Sequence, residues 1–297
     1  MYILLDVFAQ ALGFGLVTAA LIAVSAVAFS MQYAVTDVPN FAHGELLTVG
    51  AYAGYECVRY GAGLGVGVAA GAVAGAAAAY LMYRLVLRGF IRKSTRLSYT
   101  VAVTAGIALI LQNGFGLLFG NGDVNLAITA ERAHHIGPFL WTTTDIVVLI
   151  GSLVVLAVVH ATLRYTPFGR AQRAVADNRD LARASGVRVE RVISLTWLMA
   201  GAVAGLGGVA IATSRSTFGP FLGNTFLLVT FAAAIVGGVG RVYGAMLGAL
   251  VIGVVTELSG SYLSAGYKQV AALAILAVVL LLRPSGIVRV QRVRAEA

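Results

Sequence analysis

Charge is the scarcest commodity in this chain of 297 residues: only 11% are Asp, Glu, Lys or Arg, against 59% hydrophobic. A soluble globular domain carries about 25% charged residues, so a water-soluble enzyme, a disordered tail and a nucleic-acid binder are all poor fits. Lysine is nearly absent. Lys93 and Lys268 are the two present, and neither stands in a G-x-x-x-x-G-K-[ST] context, so no P-loop exists to cradle a nucleotide. The chain therefore does not hydrolyse ATP by itself. It also lacks H-E-x-x-H and a G-x-S-x-G elbow, and it has no dense His and carboxylate cluster, which leaves no metal site and no membrane enzyme to argue for. Cys57 is the single cysteine, so no intrachain disulfide and no Cys-based metal site can form. The first 35 residues lack the basic start and small-residue cleavage site of a signal peptide and read as a retained first helix.

What is present is hydrocarbon. Mean hydropathy is +0.89, and apolar runs fall at about 7–33, 40–58, 62–83, 98–120, 141–163, 192–213, 224–240, 243–260 and 267–282. Each is long enough, or nearly so, to cross a bilayer as a helix. Helices are the economical choice because in lipid every backbone N–H and C=O needs a partner within its own segment. The expected fold is thus all-α and polytopic, a single transmembrane domain over 1–297 with eight or nine crossings. Two runs are odd: the one after Pro39 carries His43, Glu45 and Glu56, and 224–240 is short and ends in Gly237, Gly238 and Gly240. Either could be re-entrant or broken.

The net charge of +9 is distributed as an orientation signal. Basic residues cluster at Arg84, Arg88, Arg92, Lys93 and Arg96, then at seven Arg from Arg164 to Arg191, then at Arg289, Arg292 and Arg294. Cytoplasmic loops carry such clusters, and the even numbers of crossings between them place all three, and the C-terminus, inside. The first 58 residues hold no Lys or Arg, so the side of the N-terminus depends on whether 40–58 crosses fully: nine crossings put it outside, eight inside.

Glycine spacing predicts close helix packing. Gly67, Gly71 and Gly75 recur every four residues, as do Gly240, Gly244 and Gly248, giving glycine-lined faces for packing within the subunit or between subunits, with the first favoured. At an offset of 190, Phe41, Ala42, Val49, Gly50 and Gly54 coincide with Phe231, Ala232, Val239, Gly240 and Gly244, which pairs the two odd segments and raises the question of a duplication. A charge at the bilayer centre costs about 2.5–3.5 kcal/mol on insertion scales, so His43, Glu45 and Glu257 should face protein or a wet cavity. His43 and Glu45 are two apart and so do not share a helical face, which argues against a single proton relay. Structural hydrogen bonding is the favoured role for each, with substrate contact the alternative; Gln112, Asn113 and Thr196 read as interhelical glue.

The second basic stretch, about 164–191, is too long for an orientation signal alone. After Pro167 and Gly169, the residues Ala171, Ala174, Val175, Leu181, Ala182 and Ala184 make a short small-residue helix that Gly186 would stop. Such a helix suits a groove on a cytoplasmic partner; a solvated interfacial helix is the alternative.

Three blocks resemble a known family: Asn40 to Tyr52 (NFAHGELLTVGAY), Gly169 to Val187 (GRAQRAVADNRDLARASGV) and Val236 to Gly248 (VGGVGRVYGAMLG) are similar, in order and spacing, to blocks of the branched-chain amino acid ABC-transporter permeases of the LivH type. The resemblance implies that 169–187 is the coupling helix docking on a separate ATPase, a role carried by Gly169, Arg170, Ala171, Ala174, Ala182 and Gly186. It places the Asn40 block beside the translocation path, so that Asn40, His43, Glu45 and Glu257 are candidate path residues. It further implies a LivM-like second permease subunit, two ATPase subunits that use the ATP, an extracytoplasmic solute-binding protein, a bacterial inner membrane, and leucine, isoleucine or valine as cargo. No cofactor is expected on this chain. Permeases for urea and short-chain amides carry similar blocks, and an ion-coupled carrier using Glu45 and Glu257 is the rival of a different class.

Overall fold

The structure is a computed structural model that describes residues 2–92, 96–126, 133–283 and 286–287. Lys93 of the first basic cluster and Arg289, Arg292 and Arg294 of the third lie outside the described residues. In chain order the helices are α1 (Tyr2–Thr36), α2 (His43–Arg59), α3 (Gly63–Met82), which continues through a π turn (Tyr83–Leu87) into α4 (Arg88–Arg92), α5 (Leu97–Phe119), α6 (Thr143–Tyr165), α7 (Pro167–Asp177), α8 (Arg179–Ala184), α9 (Val189–Arg215), α10 (Leu222–Gly237), α11 (Val242–Tyr262) and α12 (Lys268–Leu282). Short strands β1 (Val124–Asn125) and β4 (Thr217–Phe218) pair antiparallel, and β2 (Ala133–Ile136) and β3 (Phe139–Thr142) form a hairpin.

Each of the nine apolar runs is a helix. Among the described residues seven spans are long and apolar enough to cross a membrane, and the two odd runs are the short ones, α2 with 17 residues and α10 with 16. The eight or nine expected crossings therefore resolve into seven long helices and two short ones. Burial separates them into layers: of an 18-residue apolar window in each, 78% is buried in α1 and 67% in α9, against 11% in α5 and 6% in the span ending in α12. The core is built around α1 and α9.

Side chains fix the relative sense of the helices. Arg179 of α8 pairs with Asp37, just past α1, at 2.8 Å, and Arg88 of α4 pairs with Glu190 at the start of α9 at 3.0 Å. The C-terminal end of α1, the end of α3 and the start of α9 thus share one face, the basic one, and α1 and α9 run in opposite senses. Gly240, before α11, sits against Tyr33 and Ala34, and Gly253 farther on sits against Ala19, so α11 leaves the basic face antiparallel to α1. The Ile287 amide donates to the Val236 carbonyl at 2.8 Å, which brings the chain after α12 back to that face.

These relations arrange α9–α10–α11 as an inverted counterpart of α1–α2–α3. The first helix of each triplet packs along the last of the other, α1 on α11 and α9 on α3, while α2 and α10 cross at the centre. Asp37 (φ 54) and Ser216 (φ 60) are the non-glycine residues with left-handed backbone among those described, and each ends the first helix of its triplet. Gly44 and Gly223, in the first turns of α2 and α10, pack backbone to backbone. Both pairs are 179 residues apart, so the offset of 190 is wrong in register. Phe41 precedes α2 whereas Phe231 lies inside α10; their rings touch, centroids 5.3 Å apart, instead of occupying equivalent places. In a chain this rich in Gly, Ala and Val, identities of that kind arise by chance.

Glycines set how closely the layers approach. A methyl group on Gly71 would stand 3.0 Å from the Gly50 carbonyl oxygen of α2, and one on Gly75 would stand 2.8 Å from Gly205 Cα of α9. Gly67 faces Gly54, and Gly244 and Gly248 face Gly237 and Ala233 of α10, so these contacts lie within the subunit. Gly240 departs from the predicted face: it is in the loop before α11 with φ +79, where it serves the turn.

Candidate functional site

The basic segment begins where α6 ends. Thr166 caps α7, its Oγ1 accepting from the Gly169 amide at 3.1 Å, and Pro167 occupies the first turn, where its missing N–H costs nothing. Gly169 is obligatory, since a Cβ there would stand 2.6 Å from Leu163 Cα. The single helix expected from sequence is two helices. Asn178 is extended (φ −156, ψ 108) and its Oδ1 accepts from the amides of Asp180 and Leu181 at 3.0 and 2.9 Å, ending α7 and capping α8. Gly186, with φ +84, follows the end of α8.

The segment is clamped to the bundle on one side and open on the other. Gly169, Gln172, Val175 and Ala182 are buried, and the Arg173 guanidinium donates to the Leu163 carbonyl. Ala171 is half-buried, while Arg170, Ala174 and Leu181 are exposed. The candidate docking residues therefore divide: Arg170 and Ala174 face outward, whereas Gly169 and Ala182 build the segment. Leu181, an apolar side chain 65% exposed in the middle of a charged surface, belongs to the outward group. Its signal in the sequence was a lone leucine amid Arg and Asp. The tie from Arg179 to Asp37 also escapes sequence reasoning.

The second candidate region is the crossing of α2 and α10. Asn40 donates to Gln32 Oε1 at 3.0 Å and accepts from the Ala42 amide at 3.1 Å, which fixes the chain as it turns back from the end of α1. That turn carries His43 to a depth beside Ser25, eleven residues, or about 16 Å, inside the end of α1. His43 Nε2 lies 3.1 Å from the Ser25 carbonyl, and Ser25 Oγ lies 2.9 Å from Thr230 Oγ1 of α10. Thr48 Oγ1 accepts from the Gly223 amide at 3.0 Å, satisfying a donor at the N-terminus of α10. Phe29 packs on both His43 and Phe231. Among the described residues, His43 Nδ1 and Glu45 Oε2 have no hydrogen-bond partner.

Asn40, His43 and Glu45 are at most 2% exposed, sealed inside the helix packing. Glu257 is elsewhere: Oε1 accepts from Thr18 at 2.9 Å, Oε2 pairs with Lys268 at 2.7 Å, and the side chain lines an open cavity near the face opposite the basic one. The four candidate path residues do not converge on one site. Gln112 and Thr196 are buried, and Thr196 donates back to the Val192 carbonyl within its own helix. Asn113 does the same to the Leu109 carbonyl on an exposed surface.

A bundle with seven long apolar spans among the described residues, two short central helices and a helix pair exposed on its basic face suits a membrane permease subunit. A family model described as the branched-chain amino acid transport system/permease component matches residues 11–282, and the chain belongs to that family. It is 31% identical over 294 residues to the high-affinity branched-chain amino acid transport system permease protein LivH of Escherichia coli (strain K12), covering 94% of this chain and 95% of that one. It is 25% identical to the corresponding permease protein BraD of Pseudomonas aeruginosa, with the same coverage. The ribose import permease protein RbsC of Haemophilus influenzae is 27% identical over 66% of this chain and 61% of its own. No solved structure matches the chain. The protein is a multi-pass transport subunit of the ABC-permease kind, seated in the inner membrane where the host is a bacterium.

Proposed function

We propose that this chain is the LivH-like permease subunit of an importer for leucine, isoleucine and valine, which receives its cargo from an extracytoplasmic solute-binding protein and is driven by two separate ATPase subunits beside a LivM-like second permease. Chain-long similarity to permeases named for branched-chain amino acid transport carries the substrate. The α7–α8 pair supports the drive: it presents Arg170, Ala174 and Leu181 outward on the basic face, which positive-inside reasoning makes cytoplasmic. On that reading the N-terminal end of α1 is outside and the chain after α12 is inside. Closure of the ATPase pair on ATP would pull the docking segments together, and the bundles would rock between two openings as rigid bodies. ATP is then the partners' substrate, and this chain holds no cofactor.

The test is reconstitution of this chain with its ATPase, second-permease and binding-protein subunits in nanodiscs, with leucine, isoleucine, valine, urea and acetamide as a panel. ATPase activity stimulated by the binding protein loaded with leucine, isoleucine or valine is the expected result. Stimulation by urea or acetamide alone would move the protein to the amide branch of its family. Leucine uptake that needs no ATPase and collapses with the ion gradient would replace the ABC mechanism by a carrier.

A further inference from the structure

The cavity that Glu257 lines has a volume of about 430 Å³ and opens between α1, the end of α9, α10, α11 and the start of α12. It lies toward the face opposite the docking segment. Its size is within the range of about 300–1,000 Å³ usual for small-molecule sites. Its chemistry is divided. Thr18 and Lys268 hold Glu257 from two sides, and only 15% of that carboxylate side chain is exposed. Arg215, the last residue of α9, stacks on the Phe226 ring with its guanidinium carbon 4.7 Å from the centroid and makes no ion pair among the described residues. Leu21, Ile22 and Phe226 supply apolar lining in the same cavity.

We infer that this cavity is a receiving site for a free α-amino acid with an apolar side chain, held by its carboxylate on Arg215 and its ammonium on Glu257. The uncommitted guanidinium offers two parallel N–H donors that match a carboxylate fork. A carboxylate accepts about four hydrogen bonds, so Glu257 takes an ammonium without releasing Thr18 or Lys268. The aliphatic side chain then lies against Leu21, Ile22 and Phe226. Arg215 and Lys268 outnumber Glu257, so the site demands a carboxylate more strongly than an ammonium: leucine binds best, 4-methylpentanoate follows, and 3-methylbutylamine is rejected. The site sits where cargo arrives on the proposed import reading, and the choice of cargo rests on that reading; the charge geometry does not.

The test is saturation-transfer-difference NMR on the full chain in nanodiscs, without binding protein, with empty nanodiscs as the blank. Saturable transfer to the leucine methyl groups, competed by isoleucine and valine and weakened about tenfold or more in Arg215→Gln, is the expected result. Glu257→Gln should weaken it as well, but Glu257 joins α1 to α12. Arg215→Gln, which among the described residues removes no hydrogen bond or ion pair, only the Phe226 stack and a through-space attraction to Glu257, is therefore the deciding variant. Absence of saturable transfer, equal transfer in Arg215→Gln, or transfer to 3-methylbutylamine equal to that of leucine overturns the site. Leucine uptake by the assembled transporter is measured in parallel: uptake without transfer removes the site and leaves the import reading standing, whereas stimulation by urea alone removes the import reading whatever the cavity binds.

Discussion

The turn at Asp37 and the turn at Ser216 share a positive φ and differ in what holds them. Each follows a long buried helix, each takes a left-handed φ, and each sends the chain back into the bundle to start a short helix at the centre. At the basic face, Asp37 is tied to Arg179 of α8, and so to the docking segment. On the opposite face, the Ser216 carbonyl accepts from the Leu126 amide at 2.7 Å and neighbouring Thr217 pairs with Asn125, while Arg215 is left facing the cavity. The two turns share a positive φ, and their side chains differ: one end is tied to the α7–α8 segment, the proposed docking segment, and the other borders the cavity proposed to receive solute. The short helices diverge in the same way: α2 carries His43, Glu45 and Thr48 into the core, whereas α10 answers with little but Thr230.

The largest effect should come from breaking the axis that relates the two halves. Gly223 lies against the Gly44 backbone, and a Cβ there would also stand 2.6 Å from Thr48 Oγ1. Overpacking costs about 1–3 kcal/mol where side chains can yield, and more where backbone is the obstacle. Gly223→Leu is expected to abolish the monodisperse folded protein in size-exclusion chromatography. Gly65→Leu, on the outer face of α3 with nothing within 4 Å of its Cβ, is the matched control and should elute as wild type. Equal behaviour of the two would mean that the central crossing does not hold the halves together.

Next comes the docking segment, where the structure separates two alanines that the sequence treated alike. Ala174 is exposed and Ala182 is 4% exposed. Ala174→Trp should abolish uptake and ATPase co-purification while leaving the melting temperature of the isolated chain unchanged. Ala182→Trp should lower that temperature, because it forces α8 off the bundle. Full uptake in Ala174→Trp would take the outward face of α7 out of the interface.

Much of this was legible because a bilayer imposes its own ruler. Hydrocarbon thickness sets the length of an apolar run, so nine runs gave nine helices, and the two that broke the ruler proved to be the two short helices at the centre. Glycine spacing at Gly67, Gly71 and Gly75 carried over because close backbone approach demands it. What stayed hidden depends on position in space. The register of the inverted arrangement is marked by two positive φ angles, at Asp37 and Ser216; aspartate is common at such turns but far commoner elsewhere, and serine gives no sign of one. Gly240 kept the spacing of a helix face while lying outside the helix. Asn178 broke the basic helix through a cap that competes with continued helix wherever Asn precedes Arg-Asp. Arg215 and Glu257 are 42 residues apart and on different helices, and only the fold brings them to one cavity.

The smallest effect, and the most direct on the comparison of the turns, is expected from Asp37→Asn. Asparagine tolerates the left-handed backbone as well as aspartate does, so the turn stays and only the ion pair with Arg179 is lost. Asp37 is 62% exposed in that pair, and exposed pairs are worth about 0.2–1 kcal/mol; the melting temperature should therefore hardly move. If the pair transmits motion from α8 to the start of α2, cargo moved per ATP hydrolysed should fall by at most about fivefold, the factor that 1 kcal/mol corresponds to. Arg179→Gln should give the same fall, and the double variant no more than either alone, since the two changes remove one interaction. Ser216→Asn, at the related turn on the far side, should leave the ratio unchanged. A fall there as large as at Asp37 would mean that the two turns act as one hinge, and that the ion pair merely decorates the end that happens to face the docking segment.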